Sequence, residues 1–92
     1  MNKELKQGTC IAYRTENTFM LYFFIQKNFD GSLVFCRMFV LPNEMKPSDF
    51  WRMSSKYFNE NVENGNITIY EDGFPNEVVM EWEEFQNRNN ID

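Results

Sequence analysis

The sequence predicts an α+β domain: an antiparallel sheet or small, partly open barrel in the order β-β-β-α-β-β, with one main helix near residues 48–62. Three observations lead there. Residues 9–41 hold three runs rich in Phe, Tyr, Val and Ile, separated by turn residues, which is the pattern of successive strands. Residues 48–62 carry apolar side chains at helical spacing behind a serine and an aspartate suited to a helix start. Ten Phe, four Tyr and two Trp supply large side chains for one core, while 92 residues are too few for two domains.

The elements follow in order. Thr9–Arg14, Thr18–Lys27 and Ser32–Leu41 are the first three strands. Glu16-Asn17 and Asp30-Gly31 are read as two-residue hairpin loops, the second because Asp-Gly tolerates the positive φ such a turn needs. Pro42 and Pro47 end the third strand. The helix then starts at Ser48 as N-cap with Asp49 in its first turn, carries Phe50, Ser54, Tyr57, Phe58 and Val62 on one stripe, and stops at Asn64-Gly65. Asn66–Glu71 and Glu77–Trp82 read as two more strands joined by the loop 72–76, and Trp82–Phe85 as a short helical turn. Polar tails are expected at about 1–6 and 87–92 of a single domain spanning 1–92.

The two loops imply a register. Ala12 faces Leu21 and Cys10 faces Phe23; Ile25 faces Cys36, Phe23 faces Met38, Phe24 faces Arg37 and Tyr22 faces Phe39. Directly opposed residues share a face. One face then holds Cys10, Ala12, Phe19, Leu21, Phe23, Ile25, Val34, Cys36, Met38 and Val40, and is the expected core. The other holds Thr9, Ile11, Tyr13, Met20, Tyr22, Phe24, Gln26, Leu33, Phe35, Arg37, Phe39 and Leu41, too apolar for a solvent face. A later element of the chain, a second copy or a partner must cover much of it. Cys10 and Cys36 lie one strand apart from adjacency, about 10 Å from each other by strand spacing, which is too far for a disulfide.

Several chemistries are missing. With no histidine, the usual neutral-pH base, the Ser-His-Asp and Cys-His arrangements and His-containing zinc sites are excluded. Single glycines at 8, 31, 65 and 73 form no phosphate-cradling loop. The carboxylates Glu71, Asp72, Glu77, Glu81, Glu83 and Glu84 match no calcium-loop spacing and read as a solvated acidic rim. No cofactor and no metal site is expected. No run of about 18 apolar residues exists, and Met1–Gln7 lacks the apolar core of a signal peptide, so a cytoplasmic protein with no membrane partner is expected.

Charge is uneven. Residues 1–42 hold five Lys/Arg against three Asp/Glu, and residues 43–92 hold four against eleven, for a net −5. The expectation is a non-enzymatic protein-binding or regulatory domain. Tyr22, Phe24, Arg37 and Phe39 would be its contact core, Glu81, Glu83 and Glu84 its charged rim, and another protein or a second copy its partner. The same aromatic and arginine face suggests, as an alternative, a single-stranded nucleic-acid binder, against which the acidic half argues. A further alternative is an acidic inhibitor that mimics nucleic-acid phosphates, as an accessory protein of a phage or mobile element; a carboxylate-pair enzyme ranks last.

Overall fold

In the computed structural model, which describes residues 5–89, the chain runs β1 (Cys10–Arg14), β2 (Phe19–Lys27), β3 (Leu33–Arg37), β4 (Phe50–Met53), α1 (Ser55–Glu63), β5 (Ile67–Tyr70) and α2 (Asn76–Asn89). Short 3-10 turns at Pro42–Glu44 and Pro47–Asp49 interrupt the β3–β4 connection. The strands form one open antiparallel sheet in the order β4-β3-β2-β1-β5. The chain leaves the sheet at β4, one edge, and re-enters at β5, the other. Helix α1 is that connection, so it has to cross a whole face of the sheet.

Two elements differ from the sequence-based expectation. Phe50–Met53 is a strand, not the first turn of a helix, and Ser54 rather than Ser48 caps α1 by accepting the Tyr57 N–H at 3.0 Å. Pairing explains this: Trp51 sits opposite Phe35 and Met53 opposite Leu33, which extends the apolar face of β3 and removes backbone groups from water. The helix stops where expected, with Asn64 as C-cap and Gly65 at φ 83°.

The second difference is larger. Residues 77–82 are not a strand but the start of α2, which runs through the expected tail as far as Asn89. Val78, Met80 and Trp82 alternate, yet Met80 is 66% exposed while Val78 is buried and Trp82 and Phe85 are partly buried. The spacing that matters is Val78, Trp82, Phe85, which is i, i+4, i+7 on one helical stripe. The element order is therefore β-β-β-β-α-β-α.

The β1–β2 register is the expected one, with Cys10 opposite Phe23 and Ala12 opposite Leu21. The β2–β3 register is slipped by two, in two steps of one residue. Asn28 N–H donates to the Ser32 carbonyl at 2.8 Å and Gly31 N–H to Asn28 at 3.0 Å, so the loop is Phe29, Asp30 and Gly31, three residues instead of two. A bulge at Ile25 then adds one more residue between Phe24, opposite Phe35, and Gln26, opposite Val34. Beyond the bulge the slip is even and preserves parity, so the expected faces survive apart from the end of β2, where Gln26 moves to the face of Val34 and Lys27 to the face of Leu33.

A different helix packs on each face, α1 across the whole of one and α2 over part of the other. Ile11, Phe24, Leu33, Phe35, Met53 and Ile67 form the larger core with Phe58 of α1, flanked by Val62, Trp51, Tyr13, Tyr22 and Ile69. This is the face the sequence offered as a contact surface. Ala12, Phe19 and Leu21 form a smaller core with Val78 of α2, flanked by Trp82, Phe85, Tyr70, Phe74 and Met38. Phe35 is 0% exposed and stacks on Phe58 at 5.6 Å, with Phe24 edge-on at 5.5 Å. Burying each such side chain contributes about 1.5–3 kcal/mol.

Candidate protein-interaction site

The tip of the β2–β3 hairpin is the most heavily hydrogen-bonded turn among the described residues. Asp30 organises it. One carboxylate oxygen accepts the Ser32 N–H at 2.9 Å and the Ser32 hydroxyl at 2.6 Å, and the other meets the Arg52 guanidinium at 2.6 Å. Arg52 Nε also donates to Ser32 Oγ at 3.1 Å, which ties β4 to the turn. Asn28 donates to Ser32 Oγ and accepts from Gln26, while Ser55 at the start of α1 donates to the Gly31 carbonyl at 2.6 Å. Gly31 sits at φ 88°, where a side chain would be strained. The Ser32 hydroxyl and N–H, with Arg52 adding its charge, pull the Asp30 carboxyl from 3.8 down to about 2.

At the apex of this braced turn stands Phe29, 113% exposed. A bare phenyl ring is unusual at a loop apex, which is normally polar, and the bracing holds its backbone in one geometry. Beside it lies an open depression of about 570 Å³ lined by Gln26, Lys27, Asn28, Phe29, Asp30 and Arg52.

That depression leads onto the part of the α2 face that α2 leaves uncovered. Two cross-strand rows make up this area: Phe23–Cys36–Phe50 and Gln26–Val34–Arg52. Cys36 is buried at 1%, but Phe23, Ile25 and Val34 are half-buried and Phe50 is 43% exposed. None of these last four belongs to either packed core.

The seven residues expected to carry binding do not form one patch. Phe24 is 5% exposed beneath α1, so it is core and not surface, and it faces Phe35 rather than Arg37. Tyr22 faces Arg37 at the rim of the α1 face, its ring 5.0 Å from Trp51; burial pushes its hydroxyl pKa up while Arg37 pulls it down. Arg37 lies 3.6 Å from the buried carboxylate of Asp49, which also accepts the Lys46 N–H at 2.7 Å. Phe39 lies beyond the end of β3 at φ 68°, its ring 5.2 Å from Trp82 on the opposite side. Glu81, Glu83 and Glu84 are exposed on α2, with Glu81 3.2 Å from Arg14 and Glu84 3.6 Å from Arg88.

Other chemistries find little purchase. Burial raises the thiol pKa of both Cys10 and Cys36, so their thiolates are disfavoured. Among the described residues no cluster of three or more His, Cys, Asp or Glu could hold a metal, and no helix is long and apolar enough to cross a membrane. Sequence reasoning missed Phe29, Phe50 and Arg52. The signal for Phe29 was present, since Asn-Phe-Asp-Gly puts an aromatic inside a turn; the signal for the other two required knowing that 50–53 is a strand. Comparison with known proteins finds no matching family model, no matching curated protein and no matching solved structure.

Proposed function

We propose that this chain is a non-enzymatic protein-binding domain that engages its partner with the β2–β3 hairpin tip, Phe29 acting as the anchor and the neighbouring strip of Phe23, Ile25, Val34 and Phe50 as the supporting surface. The observation that carries this reading is Phe29, a fully exposed ring on a turn immobilised by Asp30, Ser32, Asn28 and Arg52. A preordered anchor loses little conformational freedom on binding, so most of the gain from burying the ring is realised as affinity. Burying one Phe is worth about 2 kcal/mol, or roughly 30-fold in Kd.

The test is capture from a lysate of the source cell on wild-type and Phe29→Ala protein, with bound proteins identified by mass spectrometry. A protein retained by the wild type and lost from Phe29→Ala, with both forms unfolding at the same denaturant concentration, supports the reading. Identical captured sets from both forms would refute it.

A further inference from the structure

Four rings from β1, β2, β4 and α1 meet at the flank of the larger core. Trp51 touches three tyrosines, with ring centroids 4.9 Å from Tyr13, 5.0 Å from Tyr22 and 6.2 Å from Tyr57. Within this cluster the hydroxyl oxygens of Tyr13 and Tyr57 lie 3.4 Å apart, although the two residues are 44 positions apart in the chain. Both phenols stand on fixed backbone. Tyr13 is paired on both sides, with Met20 of β2 and Ile67 of β5. The Tyr57 N–H is held by the Ser54 cap, and the next residue, Phe58, is buried and stacked on Phe35. Trp51 meets both phenol rings edge-on, at 67° and 76°. Tyr57 is nevertheless 40% exposed, so a reagent in solution reaches it.

Two phenols held with their oxygens together are placed for oxidative coupling. In o,o′-dityrosine the new bond joins the ring carbons next to the hydroxyls, so the product also carries its two oxygens side by side. Reaching it from this packing requires the rings to turn, not the strand and helix to separate. We propose that Tyr13 and Tyr57 form an oxidative modification site, at which a one-electron oxidant joins β1 to α1 through a dityrosine bond. Two equivalents of oxidant take one electron from each phenol, and each hydroxyl proton passes to water. The two phenoxyl radicals combine at their Cε carbons, and the hydrogen on each of those carbons moves as a proton to the adjacent oxygen. One C–C bond forms and two C–H bonds break, with two electrons delivered to the oxidant and two protons to solvent. Trp51, in contact with both rings, offers a path by which the electron of the partly buried Tyr13 reaches the exposed Tyr57. The inference is independent of the protein-binding reading above.

The test exposes dilute full-length protein to a photo-activated ruthenium tris-bipyridyl complex with persulfate, at a dose that couples free tyrosine. Dityrosine fluorescence is followed, and cross-linked peptides are located by mass spectrometry. The folded protein should give a monomeric product lighter by two hydrogens, with the peptides of Tyr13 and Tyr57 joined. Its yield should exceed that in concentrated urea by at least about ten-fold, because the fold supplies the proximity. Tyr13→Phe and Tyr57→Phe should each remove this product, whereas Tyr22→Phe and Tyr70→Phe should retain it. Should Tyr13→Phe fail to fold, Tyr57→Phe decides alone, since it keeps the ring at an exposed position. No dityrosine at that dose, or an equal yield in urea, would overturn the proposal. Joining chiefly between chains, joining through Tyr22 or Tyr70 instead, or survival of the product in Tyr57→Phe would do the same.

Discussion

The two faces of the sheet are made of the same kinds of residue and end in different states. On the α1 face, Ile11, Phe24, Leu33, Phe35, Met53 and Ile67 are all buried across the full width from β4 to β5. On the α2 face, Ala12, Phe19 and Leu21 are buried, whereas Phe23, Ile25 and Val34 are half-buried and Phe50 is exposed. Chain path accounts for the difference. Helix α1 joins opposite edges of the sheet and has to span it. Helix α2 is fed from β5, at one edge, and packs over β1 and β2, short of β3 and β4. Apolar composition identifies a surface that needs covering, and the route of the covering element decides how much of it is covered.

The comparison can be broken or sharpened by substitution, starting with the largest effect. Phe35→Ala removes a ring that is 0% exposed and packed between Phe24 and Phe58, and should cost about 4 kcal/mol in denaturant unfolding. Trp82→Ala, on the half-covered face, should cost only about 2 kcal/mol, because the indole is partly exposed and its Nε1 is buried without a hydrogen-bond partner among the described residues. Equal losses at the two positions would mean that both faces are equally closed. Ser54→Ala removes the cap of α1 and should cost about 1 kcal/mol, visible as faster amide exchange in the first turn of that helix.

Acid should loosen the turn. Asp30 is held near 2, below the 3.8 of its free form, so its support is complete above about pH 4 and is lost as pH falls through about 2. Amide shifts of Asn28–Ser32 should move in that window; an Asp30 carboxyl signal titrating near 3.8 would show that Ser32 and Arg52 do not hold it. The smallest effect belongs to Phe50→Ser, which should change stability by less than about 0.5 kcal/mol, since its ring packs in neither core. A loss like that of Trp82→Ala would place Phe50 in a core rather than on a contact strip.

Local signals were legible where one local rule applied. The β1–β2 hairpin followed from the Glu16-Asn17 loop and unbroken alternation, and Thr15 N–H does close that turn on Thr18 at 2.8 Å. The β2–β3 register failed because Asp-Gly also suits a three-residue loop and because nothing in Phe24-Ile25-Gln26 announces a bulge. Residues 50–53 and 77–82 were misassigned for a shared reason: short apolar segments fit both periods, and the choice is made by what they pack against. Phe29 could have been singled out from its place in a turn. Phe24 could not have been dismissed from a contact surface, because its burial depends on α1 arriving from the far side of the sheet.

Residue order alone dictated an antiparallel sheet with rings on both sides, two thiols kept apart, an acidic C-terminal half and no imidazole chemistry. These follow from period-two alternation, turn residues and composition, which act within a few residues. Which side became a closed core, which side kept an open strip beside Phe29, and where the acidic residues lie relative to it were decided only when two helices crossed the sheet by different routes. Alternation specifies which side chains share a face; it carries no information about the distant segment that comes to rest on them.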